Sequence, residues 1–190
     1  MPIQDPVVPD DVKRAFLTGL ENFLSANPAL RDAIKKDPEG IQGLPVYTIA
    51  LDSLVQGART EVALYAGWRV FYRRAAEALA GDVQVSLTGQ APRLVSISRG
   101  TQLGEVLDSV ELVLNRTDLH PETKYQLRLL RIAGVFMECC WLVSGSDQPD
   151  VFVPVISGLR MMQARETYLT DAFFLRLSKV AGVALQFGSH

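Results

Sequence analysis

The chain has 190 residues, of which 48% are hydrophobic and 21% charged, and its formal net charge is −2 at pH 7. This composition excludes an intrinsically disordered chain, and the small net charge gives no support for binding to nucleic acid or to an anionic membrane. A chain of this length buries enough surface to fold without disulfides or metal ions. We expect a single globular domain over residues 1–187, with residues 1–9 as a loose N-terminal arm. Residues 188–190 resemble the start of a cloning linker and histidine tag.

Two helices are predicted near the N-terminus. The first starts at Pro9-Asp10-Asp11, because acidic residues are favoured near the positive end of a helix. Apolar residues then recur at helical spacing: Val12, Phe16, Leu20, Phe23 and Leu24. Asn27-Pro28 ends this helix, and a short helix is expected over residues 28–36. Residues 44–54 fit either a strand or the start of a helix.

Residues 60–80 are predicted to form a long amphipathic helix that ends at Gly81. Its apolar face is Leu64, Trp68, Phe71, Ala75, Ala78 and Leu79. The same segment mixes aromatic and basic side chains between Trp68 and Arg74, a combination that can stack on nucleic-acid bases or lie at a lipid surface. Because the apolar members share one face, we interpret the segment as an ordinary core-facing helix.

A β-hairpin is predicted over residues 82–99, where apolar and hydroxyl-bearing residues alternate on either side of a turn at residues 89–92. A helix follows over residues 103–116. Glu105, Asp108 and Glu111 lie at steps of three on it and can be interpreted as ligands for a hard cation or as a solvated helix face, and we favour the solvated face.

Residues 121–143 are predicted to form the central helix of the fold. Pro121 suits a first helical position, and beyond Arg131 the segment is almost entirely apolar, which requires cover on every side. We expect Phe136 and Trp141 to be buried at the centre of the domain. Glu138 is the one charge in that stretch, and we expect it to be partly buried and paired with an arginine of another helix.

Cys139 and Cys140 are the two cysteines of the chain. Adjacent side chains on a helix diverge too far to form a disulfide with each other, so we expect two buried, reduced thiols. Reduced thiols are typical of a reducing compartment, and no signal peptide or uncharged run of about 18 apolar residues is visible. These observations predict a cytoplasmic protein with no membrane partner.

The C-terminal part is predicted to contain a short apolar segment and a long helix. Pro154 confines any strand within residues 151–156 to the edge of a sheet. The final helix is expected over residues 158–185, with two apolar stripes: Met162, Leu169, Phe173 and Val180 on one side, and Met161, Tyr168 and Leu175 on the other. Two such stripes indicate two neighbours, within the fold or in a second subunit.

These elements together predict a mainly α fold. About six helices pack around the central helix of residues 121–143, with one β-hairpin over residues 82–99 and a candidate third short strand.

No catalytic motif is recognisable. Apart from the tail, His120 is the only histidine, and its place before a proline suits a helix cap better than catalysis or metal binding. No phosphate loop, dinucleotide fingerprint or nucleophile elbow occurs. We therefore predict no cofactor and no metal, and we favour a protein without enzymatic activity.

Two classes of function remain. The favoured class is a non-catalytic protein–protein interaction protein (an adaptor, an immunity-type binder or an assembly subunit) that forms a homodimer. Its predicted interface residues are Arg165, Tyr168 and Arg176. The alternative is a helical domain with an apolar small-molecule pocket, or a carboxylate- and arginine-based enzyme built on it. The pocket would be lined by Trp141, Met161, Met162, Phe173 and Phe174.

Overall fold

The computed structural model describes residues 3–25, 27–74, 77–86, 88–99, 101–116, 119–120, 122–145, 147–157 and 162–187. Within these ranges the chain forms nine strands and five α-helices. The strands are β1 (Ile3–Gln4), β2 (Ile41–Thr48), β3 (Leu64–Arg74), β4 (Glu77–Gln84), β5 (Arg93–Arg99), β6 (Tyr125–Ile132), β7 (Met137–Ser144), β8 (Val151–Ser157) and β9 (Tyr168–Leu169). The helices are α1 (Asp10–Phe23), α2 (Pro28–Lys36), α3 (Leu51–Val55), α4 (Thr101–Leu114) and α5 (Thr170–Phe187). The mainly α prediction is therefore wrong.

The strands form a mixed sheet in the order β5-β4-β3-β2-β6-β7-β8-β9, and β1 pairs with β6. The β1–β6 and β2–β6 pairs are parallel, whereas β3–β4, β4–β5, β6–β7, β7–β8 and β8–β9 are antiparallel. The chain divides into two compact units. The first unit comprises Met1–Asp5, Val46–Tyr65 and Val106–His190, and the second comprises Pro6–Pro45 and Ala66–Glu105.

The predicted central helix is a β-hairpin. Strands β6 and β7 pair in antiparallel register from Tyr125↔Ser144 to Ile132↔Met137, and a 3-10 turn at Ala133–Val135 joins them. Cys139, Cys140 and Leu142 are all completely buried although they lie on both faces of β7. A strand covered on both faces is apolar at every position, so it lacks the alternation that distinguishes an ordinary strand from a buried helix. Pro121 lies outside the described residues.

The helix predicted over residues 60–80 is also wrong. Strands β3 and β4 occupy this segment and pair in antiparallel register from Gly67↔Gln84 to Arg74↔Glu77. Val70, Phe71 and Tyr72 are consecutive and buried, so β3 is again a strand with two covered faces. The hairpin predicted over residues 82–99 is present as the antiparallel pair β4–β5, with β4 beginning earlier at Glu77.

The last helix begins later than predicted. Residues 162–169 form turns and the short strand β9, and the helix runs only from Thr170 to Phe187. Arg165 has a positive φ of 70°, whereas residues inside a right-handed helix have negative φ values. The two long apolar stripes therefore do not exist as predicted, and α5 has one buried face: Phe173, Phe174, Leu177 and Ala181.

Other predicted elements are confirmed. The first two helices have the expected positions in α1 and α2, and α4 lies where the helix of residues 103–116 was expected. The ambiguous residues 44–54 contain both structures, since β2 ends at Thr48 and α3 starts at Leu51. The N-terminal arm is not loose over its described part, because Ile3 pairs with Tyr125 and Val8 is buried.

Each unit has its own apolar core. In the second unit Phe16 and Leu20 of α1 are completely buried, and glycines let the backbones approach: a Cβ on Gly81 would lie 2.7 Å from both Leu94 and Phe16. The core of the first unit is built from β6, β7, β8, α3 and α5 and is rich in aromatic rings. None of the helices in the described part of the chain is long and apolar enough to cross a membrane.

Candidate functional site

A series of aromatic rings crosses the first unit from its half-buried edge to its core. Tyr65 and Tyr47 have ring centroids 5.6 Å apart, and Tyr47 meets Trp141 edge-on at 5.5 Å and 83°. Trp141 stacks at 6.1 Å on Phe152, which stacks at 4.3 Å on Phe173. We call these five residues the aromatic series. Ring pairs in such geometries stabilise a fold beyond the area that they bury.

The sheet register places these rings on one face. Trp141 of β7 lies opposite Arg128 of β6 and Phe152 of β8, and directly opposite residues in neighbouring strands point to the same side. Tyr47 of β2 lies opposite Leu130 of β6, two residues from Arg128. Helix α5 covers the inner end of this face with Phe173 and Phe174.

Arg128 lies beside the second and third rings of the aromatic series. Its guanidinium carbon lies 4.8 Å from the ring centroid of Tyr47 and 5.1 Å from that of Trp141. Because these two rings are nearly perpendicular, the guanidinium sits in the corner between two aromatic faces, an arrangement that attracts a cation. One of its NH₂ groups donates to Oε1 of Gln126 at 3.1 Å. No carboxylate of a described residue forms an ion pair with it.

Asp150 fixes the orientation of the indole. The Nε1–H of Trp141 donates to Oδ2 of Asp150 at 2.8 Å, and the backbone N–H of Ser144 donates to Oδ1 at 2.8 Å. The hydroxyl of Thr170 donates to the Asp150 carbonyl at 3.2 Å. The carboxylate therefore holds the end of β7, and the start of α5 is tied to the same residue.

The predicted ligand-binding residues come together in the core. Trp141, Met162, Phe173 and Phe174 all belong to the same buried cluster, whereas Met161 lies outside the described residues. Sequence reasoning missed Tyr47, Tyr65, Phe152 and Arg128. The strand register that brings them together is a long-range property, which local sequence patterns do not reveal.

The predicted interface residues lie near one another around β9. Arg176 stacks over the ring of Tyr168 at 5.0 Å. The Tyr168 hydroxyl donates to Glu166 at 2.5 Å, and burial together with this carboxylate raises the pKa of Tyr168. Arg165 donates through Nε to the hydroxyl of Ser109 at 3.3 Å. Tyr168 is buried, whereas Arg165 and Arg176 are exposed.

The solvent side of α5 carries apolar side chains. Leu175 is 60% exposed and Val183 is 52% exposed. Asp171, Leu175, Lys179 and Val183 follow one another at steps of four and therefore share one face of the helix. We call these four residues the outer face of α5.

Phe136 contradicts its prediction of burial. It is 82% exposed and has a positive φ of 49°. The residue follows the 3-10 turn between β6 and β7, where the backbone must reverse. Trp141, by contrast, is buried as predicted.

Glu138 and the two cysteines have structural surroundings that explain their charge states. Glu138 is partly buried, and its Oε1 lies 2.8 Å from Nε of Arg131, so the predicted ion pair exists but joins neighbouring strands rather than two helices. Burial and the nearby Glu138 charge raise the pKa of Cys140 to about 12, and burial raises that of Cys139 well above its ordinary value. Both cysteines are free, and on a strand they point to opposite faces.

The described residues contain no group of three or more His, Cys, Asp or Glu side chains placed to hold a metal ion. Asp108 and Glu111 are exposed on α4, and the side chain of Glu105 lies outside the described residues. His120 is exposed in the connection before β6 rather than at a helix cap.

Comparison with protein-family models, with curated proteins and with solved structures finds no match for this chain.

Proposed function

We propose that the protein is a non-catalytic interaction protein that forms a homodimer through the outer face of α5. The observation that carries this proposal is the pairing of exposed apolar and charged side chains on that face. Leu175 and Val183 expose more than half of their surface, and they share the helix face with Asp171 and Lys179.

The charge pattern of this face favours a second copy as the partner. Asp171 and Lys179 flank Leu175 four residues away on either side. If two α5 helices pack antiparallel about a two-fold axis at Leu175, each Asp171 faces the partner's Lys179. Such a face is complementary to itself, which is the requirement for a symmetric dimer.

Arg176 and Arg165, two of the predicted interface residues, are also exposed. Arg176 is held by the ring of Tyr168 and Arg165 by Ser109, so both arginines are ordered before a partner arrives. Arginines anchored in this way lose less conformational freedom on binding than free ones do.

The reducing cytoplasm is the proposed location of the protein. The free, buried thiols Cys139 and Cys140 support a compartment in which disulfides do not form.

Sedimentation velocity over a micromolar dilution series tests the dimer. We expect wild-type protein to show a concentration-dependent dimer mass. Lys179→Asp and Asp171→Lys should each weaken the dimer at least about tenfold, because two attractive pairs become repulsive. The double variant Asp171→Lys/Lys179→Asp restores opposite charges and should recover association, although it still lacks the ion pair that Asp171 makes with Arg59 within its own chain.

Lys36→Asp is the matched control, since Lys36 is an exposed lysine on another helix. It should leave the dimer unchanged. A monomeric mass for the wild type at every concentration, or equal behaviour of Lys179→Asp and Lys36→Asp, would contradict the proposed interface.

A second candidate function is the binding of a small molecule beside Arg128, where Tyr47 and Trp141 meet. The specific observation that favours it is the guanidinium of Arg128, which two rings hold in place and no carboxylate of a described residue neutralises.

A further inference from the structure

We propose that Arg128, with Tyr47, Tyr65 and Trp141, binds the carboxylate of a small organic acid with an aromatic body. This inference goes beyond the proposed dimer and does not depend on it, because the residues involved lie on the sheet face rather than on the outer face of α5.

The first argument is the state of the guanidinium. Arginine has five N–H donors, and within the described residues Arg128 uses one nitrogen to donate to Gln126. A half-buried cation has lost part of its hydration, and aromatic faces replace water only in part. The remaining donors therefore favour an added acceptor, and a carboxylate matches the fork of a guanidinium with two parallel hydrogen bonds.

The second argument is preorganisation. Tyr47 and Trp141 hold the guanidinium from two sides, and Asp150 holds Trp141 through its indole N–H. A positioned arginine gives up less side-chain freedom when a ligand binds than a free surface arginine does. The site is thus built before the ligand arrives.

The third argument concerns the body and the charge of the ligand. The rings of Tyr47 and Tyr65 are both half-buried and tilted by 59°, and Val62, Ala63 and Val143 are partly buried against the same core. These surfaces favour an apolar or aromatic body beside the carboxylate. The carboxylate of Asp150 at the edge of the indole adds a negative charge to the site, which favours a monoanion over a dianion such as phosphate.

Benzoate is the probe for this site, and the indole N–H signal of Trp141 in a ¹⁵N-correlated NMR spectrum is the reporter. Trp68 is the other tryptophan, and the variant Trp68→Phe identifies which signal belongs to Trp141. We expect benzoate to shift that signal saturably with a dissociation constant on the order of millimolar, the range typical of a ligand of this size. The neutral isostere benzamide and inorganic phosphate should produce no saturable shift.

Arg128→Gln should weaken benzoate binding at least about tenfold, since a charge-assisted pair is lost. Arg93→Gln is the matched control: Arg93 also lies on a strand and also donates to a glutamine, Gln84 at 3.3 Å, but no ring of a described residue stacks on it. It should leave binding unchanged. Arg128→Lys keeps the charge without the fork and should bind with intermediate affinity, which separates lost recognition from lost folding.

Three results would overturn the proposal. The first is the absence of a saturable shift in the wild type at about 10 mM benzoate, well above the expected dissociation constant. The second is equal binding by Arg128→Gln and Arg93→Gln. The third is equal binding of benzoate and benzamide, which would show that the rings act without the cation.

Discussion

Two strand arginines, Arg69 on β3 in the second unit and Arg128 on β6 in the first, are held in different ways. Arg69 of the second unit is buried, and its Nη1 lies 3.3 Å from Oδ1 of Asp82. The hydroxyl of Ser96 donates to the same carboxylate at 2.8 Å. Arg128 of the first unit is only half-buried and lies against two rings, and no carboxylate of a described residue forms an ion pair with it.

The different surroundings of the two guanidinium groups separate a cation that stabilises the fold from one that is available to bind a ligand. A buried guanidinium requires a fixed counter-charge, and removing that charge destabilises the protein strongly. A guanidinium at the edge of a core keeps part of its hydration and is held in place by rings, so its charge remains accessible to a ligand. The contrast predicts that Arg69 matters for folding and Arg128 for recognition.

The largest effect is expected from removing the indole of Trp141, which lies beside Arg128. Trp141→Ala removes a buried ring from the middle of the aromatic series and leaves Asp150 without its indole donor. It should lower the free energy of unfolding by about 3–5 kcal/mol, measured by denaturant titration. Phe136→Ala is the control, and its exposed ring predicts a change of less than about 0.5 kcal/mol. Equal losses in both variants would show that the aromatic series is not the core.

The secondary structure was predictable where a segment has one apolar and one polar face. The stripe of Val12, Phe16 and Leu20 predicted α1, and all three side chains are buried. The strands β3 and β7 were not predictable in this way, because covered faces on both sides remove the period of two. In β6 the alternation is present only from Tyr125 to Leu129, and Leu129 and Leu130 are then both buried. Gly134 interrupts the apolar run at the turn between β6 and β7 and is a local signal of a hairpin.

The candidate site was predictable only in part for the same reason. Trp141, Phe173 and Phe174 stood out as large apolar residues, and they do meet. Arg128 and Tyr47 are far apart in sequence, and the register of three strands brings them together. Local patterns carry no information about such long-range pairing.

An effect on alkaline stability should follow from the covered faces of β7. The fold raises the pKa of the Cys140 thiol from 9.0 to about 12, so the neutral thiol is favoured in the folded state. The stability that this neutral thiol contributes is fully present below the pKa of the unfolded state, 9.0. It is lost as the pH rises through the pKa of the folded state, about 12. The free energy of unfolding, measured by denaturant titration across this pH range, should decline less steeply with pH for Cys140→Ala than for the wild type. Identical pH slopes in the two proteins would contradict the burial of this thiol.

A smaller effect is expected on the Arg69 side of the comparison. Ser96→Ala removes one hydrogen bond to Asp82 but leaves the ion pair with Arg69 in place. The free energy of unfolding should fall by about 1 kcal/mol, the usual loss for one such bond. Ser98→Ala, on the same strand, is the control and should change stability less. A larger loss for Ser98→Ala would show that Asp82 does not depend on Ser96.

The smallest expected effect is at Phe136. Its φ of 49° lies in the left-handed region, which glycine adopts more easily than other residues. Phe136→Gly should therefore leave the free energy of unfolding unchanged or raise it by at most about 1 kcal/mol, measured by thermal unfolding. Clear destabilisation would mean that the exposed ring contributes to the fold.

The most direct test of the account compares Asp82→Asn with Arg128→Gln in one denaturant titration. Asp82→Asn takes the negative charge away from the buried Arg69 and should cost about 3 kcal/mol. Arg128→Gln removes a half-buried cation from two rings and should cost about 1 kcal/mol. Equal losses, or a larger loss for Arg128→Gln, would contradict the assignment of Arg69 to folding and of Arg128 to binding.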